Sequence, residues 1–141
     1  MEDISVLKTI SVLYVEDDYL VRECIGRFLK RRCKAVYDAE NGKAGLEIYK
    51  QHDIDIVVTD LEMPVMNGFE MVKKILETKN TLPIVITTGY SDEEHHIEEA
   101  CEHIIKPIDE DKLIEAILFC LGYTTNVSNN NCKLSLKCPD V

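Results

Sequence analysis

Residues 54–68 read IDIVVTDLEMPVMNG, and the beginning of this stretch decides the expected fold. The run IDIVVTD at 54–60 is short, is rich in Val and Ile, and ends in an aspartate. Runs of this kind are typical of strands buried on both faces of a parallel sheet. The chain carries four more runs of similar length and composition: ISVLYV at 10–15, AVYDA at 35–39, PIVITT at 83–88 and HIIK at 103–106.

Amphipathic stretches separate these runs. Their apolar residues recur at helical spacing, which predicts helices over 19–31, 42–50, 68–77 and 109–121. Ser91 precedes three acidic residues, which predicts the start of a further helix. Five strands alternating with five helices predict an α/β domain with one five-stranded parallel sheet and helices on both of its faces.

The periodic pattern ends at Gly122, a residue type that commonly terminates helices. Residues 123–141 contain the run NVSNNN and show no clear periodicity. We therefore expect one domain over residues 1–122, followed by a tail or the start of a linker over 123–141 and no second domain.

The bulk composition argues against several functions. The chain has 141 residues and a formal net charge of −10, so we expect no direct nucleic-acid binding by residues 1–141 and no attraction to an anionic membrane. The sequence has no apolar run of the length that spans a membrane and no basic start before an apolar stretch, so we expect a cytoplasmic protein.

The chain has six cysteines, and no two of them form a CxxC pair. This spacing does not predict a zinc site, and in a cytosolic protein we expect the thiols to be reduced. Cys24, Cys101 and Cys120 lie among apolar residues, which predicts that they fill the core rather than bind a ligand.

Polar side chains stand where the predicted strands end. Glu16 and Asp17 follow the first strand, Asp60 ends the third, Thr88 ends the fourth and Lys106 ends the fifth. Because ligands of parallel α/β sheets bind at the carboxyl ends of the strands, we expect these groups to converge at one edge of the sheet.

Such a convergence predicts phosphoryl chemistry. Two carboxylates at about 4 Å repel by roughly 4 kcal/mol at an effective dielectric of 20, and a magnesium ion would relieve that repulsion. Asp60 is ionised at neutral pH, so it can attack a phosphoryl group without a general base. Thr88 could donate a hydrogen bond to a phosphoryl oxygen, and Lys106 could pair with another.

Four segments give this pattern a family likeness: VLYVEDD at 12–18, VVTDLEMPVMNG at 57–68, PIVITTG at 83–89 and IIKP at 104–107. Over residues 10–121 the chain resembles the receiver domain of bacterial two-component response regulators, of the CheY-like superfamily. The resemblance implies a flavodoxin-like (βα)5 three-layer sandwich. It also implies a signalling domain that accepts a phosphoryl group, rather than an enzyme acting on separate substrates.

The resemblance implies a metal site for Mg²⁺ or Mn²⁺. Asp17 matches the direct ligand of the family's acid pair, and Glu16 matches the second acid, acting through water. Asp60 matches both the phosphoacceptor and a third ligand. Glu62 stands where the family supplies a main-chain carbonyl.

The resemblance also implies a conformational switch from Thr88 to position 103, where the family usually carries an aromatic residue. This chain has His103 there, which is a departure. A second departure is that the segment between Thr88 and Lys106 is shorter than the family pattern by about one helical turn. The family's usual output surface lies on that face.

The implied partners are a histidine kinase or a phosphotransfer protein, together with an output partner or output domain whose identity the sequence does not give. A phosphorylation-dependent dimer is also compatible with the family. Three alternatives fit less well. A haloacid-dehalogenase-like phosphatase needs a D-x-D motif that Asp60-Leu61-Glu62 lacks, and a flavodoxin-like cofactor binder needs a phosphate loop without acids. An interaction module that had lost phosphorylation would not keep every chemical position filled.

Overall fold

The computed structural model describes residues 4–89 and 97–123. Five parallel strands form one sheet in the spatial order β2-β1-β3-β4-β5. Their bounds are β1 Ser11–Val15, β2 Ala35–Ala39, β3 Ile56–Asp60, β4 Ile84–Thr88 and β5 Glu102–Ile105. Strand β3 is the middle strand of this sheet, β1 lies between β2 and β3, and β5 is an edge strand among the described residues.

Four α-helices accompany the strands within the described residues. They are α1 Tyr19–Lys30, α2 Gly42–Gln51, α3 Gly68–Thr78 and α4 Glu110–Cys120. An Asp or Asn side chain accepts a hydrogen bond from the first turn of each helix, which fixes where the helix begins. The helix predicted from Ser91 falls largely on residues 90–96, which lie outside the described residues.

Alternation along the strands divides the core into two layers. Val12 and Tyr14 of β1 pack in the layer that holds α1 and α4, whereas Leu13 and Val15 pack in the layer that holds α2 and α3. The predicted parallel sheet with helices on both faces is therefore confirmed. A 3-10 helix over Ile4–Thr9, which buries Leu7 against the first layer, was not predicted.

The cysteine predictions were wrong in two respects. Cys101 and Cys120 form a disulfide with a Cα–Cα distance of 5.9 Å, so these two thiols are not reduced. Cys24 and Cys101 are exposed and Cys120 is half-buried, so none of the three is a fully buried core residue as predicted. Linear spacing could not reveal the pairing, because the two cysteines are 19 positions apart in the sequence and the chain passes through β5 and α4 from one to the other.

Among the residues that the structure describes, no helix is both long and apolar enough to cross a membrane.

Candidate functional site

An acidic cluster forms where β1 and β3 end side by side. The strands pair in register through Val15 and Thr59, so the next residues, Glu16 and Asp60, are neighbours. One carboxylate oxygen from each of Glu16, Asp17 and Asp60 lies within 4.8 Å of the others. Glu16 and Asp60 are only 0% and 6% exposed, whereas Asp17 is exposed to solvent.

The turn after β3 fixes the Asp60 carboxylate. The backbone N–H of Leu61 donates to Asp60 Oδ1 at 2.7 Å, and the N–H of Gly68 donates to the Leu61 carbonyl at 2.9 Å. A Cβ atom at Gly68 would collide with the Asp60 carbonyl, so only glycine permits this approach of α3 to the end of β3. The motif between Asp60 and Gly68 therefore holds the carboxylate as well as connecting two elements.

Both the carboxylate and the backbone carbonyl of Glu16 accept hydrogen bonds. The N–H of Asp18 donates to Glu16 Oε2 at 3.1 Å, and the Arg22 guanidinium donates to the Glu16 carbonyl at 2.8 Å. Burial raises the pKa of Glu16, while the hydrogen bonds from Lys106 and from the Asp18 amide oppose that rise. A cation close to this carboxylate would favour its charged form.

Lys106 supplies a cation from the end of β5. Its Nζ lies 2.9 Å from Glu16 Oε1, an ion pair by distance, and donates to Asp60 Oδ2 at 3.1 Å. Burial lowers the pKa of Lys106, but the carboxylates of Glu16 and Asp60 outweigh that effect, so its pKa is raised overall. The lysine is therefore charged at neutral pH. Its backbone N–H donates to the Thr88 carbonyl at 2.7 Å, which fixes β5 against β4 at the site.

Thr88 ends β4 and is buried, beside Ile105 of β5. The structure thus places Thr88 at the same edge of the sheet as the acidic cluster. Glu62 is exposed, two residues beyond Asp60 in the turn toward α3. His103 is half-buried on β5, and its Nε2 accepts a hydrogen bond from the Ile97 N–H at 3.0 Å.

Sequence reasoning missed two buried hydroxyls near the acids. Tyr14 and Thr87 are both fully buried, and neither hydroxyl has a hydrogen-bond partner among the described residues. Thr87 is paired with Asp60 in the sheet register, and Tyr14 lies two residues before Glu16 on the same face of β1. Burial, followed by the charges of Glu16 and Asp60, raises the pKa of Tyr14, so it remains a neutral donor. For Tyr14, the alternation of side chains between the two faces of β1 was the sequence signal that could have placed it near Glu16.

The donor set fits a hard divalent cation. Three carboxylates converge, one of them exposed to solvent, and magnesium binds through one or two carboxylates while it keeps several waters. The half-buried Lys106 beside them compensates only part of the negative charge. An anionic phosphoryl group could therefore be held at this edge between the cation and Lys106.

Comparison with known proteins agrees with the geometry. The family model described as the response regulator receiver domain matches residues 12–118, which includes β1 from its second residue, the other four strands and most of the length of α4. The chain belongs to the response regulator receiver domain family. In this receiver domain, Glu16, Asp17 and Asp60 form the acidic cluster at the edge of the sheet.

Individual relatives give the same result. The cell cycle response regulator CtrA of Brucella ovis is 32% identical over 110 residues, an alignment that covers 75% of this chain and 47% of the relative. The chain therefore spans about half the length of the curated relatives it matches. Among solved structures, the response regulator TrrA of Thermotoga maritima in complex with Mg²⁺ and BeF is 28% identical with a TM-score of 0.72, covering 80% of this receiver domain and 100% of that chain. The chemotaxis response regulator CheY4 of Vibrio cholerae is 26% identical with a TM-score of 0.72, covering 80% and 99%.

Proposed function

We propose that Asp60 of this receiver domain is the phosphoacceptor, served by Thr88 and Lys106, and that Glu16, Asp17, Asp60 and the main-chain carbonyl of Glu62 hold a divalent cation, Mg²⁺ or Mn²⁺. The observation that carries this proposal is the environment of the Asp60 carboxylate. It is nearly buried, it is oriented by the Leu61 amide, and it lies within reach of both Lys106 and the other two acids.

Each side chain has a defined part in the transfer. A carboxylate oxygen of Asp60 forms a bond to phosphorus while the bond to the leaving group breaks, which produces an aspartyl phosphate. Lys106 pairs with the charge of the transferred group, and the Thr88 hydroxyl donates to one of its oxygens. A bound cation supplies charge neutralisation at the phosphoryl oxygens.

The phosphoryl donor on this proposal is a phosphohistidine of a histidine kinase or of a phosphotransfer protein. The chain spans only part of its relatives, so the output partner or output domain stays open, as does a phosphorylation-dependent dimer. The acidic net charge of −10 supports the expectation that residues 1–141 do not contact nucleic acid directly.

The switch is proposed to run from Thr88 to His103. If Thr88 moves toward a phosphoryl oxygen, space opens beside β5 for the ring at position 103. In the present state, that ring is held by the Ile97 N–H at 3.0 Å, so the hydrogen bond must break before the ring can turn. The segment before β5 and the ring should therefore move together.

Acetyl phosphate and Mg²⁺ provide the direct test of this site. The protein should acquire one phosphoryl group, seen by intact mass, and Asp60→Asn should abolish it. Asp17→Asn should weaken Mg²⁺ binding by more than about tenfold, because it removes the exposed ligand. Asp53→Asn changes an exposed aspartate outside the cluster and is the matched control for both measurements. Labelling of Asp60→Asn at the rate of the parent would refute the assignment.

A further inference from the structure

The disulfide lies at the start of β5, at the opposite end of this strand from Lys106. Cys101 lies immediately before β5, and Cys120 is the last residue of α4. We propose that Cys101–Cys120 is a reversible thiol–disulfide site whose redox state determines how firmly β5, which leads into Lys106, is held in the domain. Only the effect on phosphorylation rests on the proposed role of Asp60.

Strand β5 is held less firmly by packing than the interior strands of the sheet. It is four residues long, it pairs only with β4 within the part of the chain that the structure describes, and only Ile104 of its residues is buried. By contrast, all five residues of β3 are buried and the strand pairs on both sides. A covalent link at the start of β5 should therefore change the order of that strand more than it would change the order of a central strand.

Both ends of β5 are tied to β4 by short backbone hydrogen bonds. The N–H of Cys101 donates to the Ile84 carbonyl at 2.7 Å, and the N–H of Lys106 donates to the Thr88 carbonyl at 2.7 Å. Cys101 therefore belongs to the same hydrogen-bonded ladder as Lys106. The disulfide adds a second attachment, from this ladder to the end of α4.

The bond is accessible to small thiols. Cys101 is exposed and Cys120 is half-buried, so a reductant can approach from the Cys101 side. Exposed disulfides are the ones most readily exchanged. The Cys33 thiol is poorly suited to attack this disulfide, because it is buried and burial raises its pKa to about 11.

The exchange balances with a monothiol such as glutathione. One thiolate attacks a sulfur of the disulfide, which breaks the S–S bond and gives a mixed disulfide and one protein thiolate. A second thiolate then releases the other cysteine, so that two glutathione molecules become glutathione disulfide and the protein gains two electrons and two protons. Glutathione disulfide drives the same steps in reverse.

Reduction should loosen β5 and, through it, the position of Lys106. In the oxidised protein, Lys106 Nζ is held within 2.9 Å of Glu16 and 3.1 Å of Asp60. A less ordered strand would keep Lys106 beside these two carboxylates for a smaller fraction of the time. The phosphorylation rate at Asp60 should then fall by about fivefold or more.

The experiment equilibrates the folded chain with defined ratios of glutathione to glutathione disulfide. Trapping with an alkylating reagent, followed by peptide mapping, should show Cys101 and Cys120 changing state together, with both forms recovered on reversing the ratio. Cys132 and Cys138 lie outside the described residues, so the rate measurements are made with Cys24, Cys132 and Cys138 all replaced by serine.

In that background, reduction should speed hydrogen exchange at residues 102–105 and slow labelling by acetyl phosphate. The double variant C101S/C120S should show the hydrogen exchange and labelling rates of the reduced protein, and neither rate should depend on the glutathione ratio.

The proposal would be overturned if the disulfide does not form, or if it can be reduced only when the protein unfolds. Equal hydrogen exchange at β5 in both redox states would overturn it as well. Redox-dependent exchange with unchanged labelling would overturn the effect on Asp60. Redox-dependent exchange without any labelling of Asp60 would support the thiol site and refute the proposed phosphoacceptor.

Discussion

The adjacent strands β1 and β3 differ from the edge of the sheet at β5 in how they are packed. In the central strand pair, β1 and β3, every residue is buried and the acids follow directly in register. The edge unit, which comprises residues 97–105 and α4, has an exposed turn, a four-residue strand and a disulfide. Lys106 is the residue at which the two regions meet, because it extends from β5 to both buried carboxylates.

The buried strand pair suits the chemical step, and the edge unit suits a conformational change. A phosphoacceptor needs a carboxylate fixed within tenths of an ångström, and a fully buried strand provides that. A switch needs an element that can change its position at low cost, and an edge strand with few buried side chains provides that. We therefore expect substitutions in the central pair to change the stability of the whole domain, and substitutions in the edge unit to act locally.

The largest effect should come from Gly68→Ala. The added methyl group would collide with the backbone at Asp60 and Leu61, neither of which can move without disturbing β3. We expect the free energy of unfolding to fall by about 3 kcal/mol, measured by urea denaturation. Labelling by acetyl phosphate should fall as well, because the same backbone carries the phosphoacceptor.

Gly89→Ala is the control at the end of β4. A Cβ atom there would meet nothing within 4 Å, and the residue is exposed. Its free energy of unfolding should change by less than about 1 kcal/mol. Equal losses in the two variants would show that the loss at Gly68 does not come from the collision with the backbone at Asp60 and Leu61.

A smaller effect, of opposite sign, should come from Tyr14→Phe. The Tyr14 hydroxyl is buried without a hydrogen-bond partner among the described residues, and such a group costs about 1–3 kcal/mol. Without divalent cations, the variant should gain about 1 kcal/mol of stability.

Tyr49→Phe is the matched control for Tyr14. The Tyr49 hydroxyl shares a hydrogen bond of 2.8 Å with the Thr78 hydroxyl near the surface, so its removal should cost about 0.5 kcal/mol. A clear loss of stability in Tyr14→Phe would mean that its hydroxyl is satisfied, which would contradict this view of the central pair.

Much of the central pair could be predicted from sequence, because its signals are local. The bounds of β2 agree with the prediction at both ends, and β3 starts two residues later than predicted because Asp55 is exposed and its carboxylate accepts from the Ser11 N–H. The convergence of Glu16, Asp17, Asp60 and Lys106 followed from the rule that parallel strands end at one edge. Whether these residues perform their proposed roles stays a prediction.

The edge unit was harder to predict, because its interactions depend on packing rather than periodicity. Cys101 and Cys120 are brought together only by the return of α4 onto the sheet. His103 was expected to matter through its size and charge, and nothing in the sequence indicated that its ring would accept from Ile97.

The smallest and most local effect should come from His103→Ala. This substitution removes the acceptor of the Ile97 N–H, a hydrogen bond of the kind that contributes about 1 kcal/mol, and Ile97 is itself buried. We expect the protection of the Ile97 amide against hydrogen exchange to fall roughly fivefold, while the amides of β1 and β3 keep theirs. His103→Gln is the matched control, because its side-chain oxygen can still accept and does not titrate.

Acid should lower the protection of the Ile97 amide in the parent, as the alanine substitution does, but it should not lower that protection in the glutamine variant. An imidazole protonated on both nitrogens has no acceptor. Protonation of the ring therefore removes this bond. Equal protection of Ile97 in the parent, His103→Ala and His103→Gln would show that this bond does not hold the segment before β5, and the proposed coupled motion of ring and segment would fail with it.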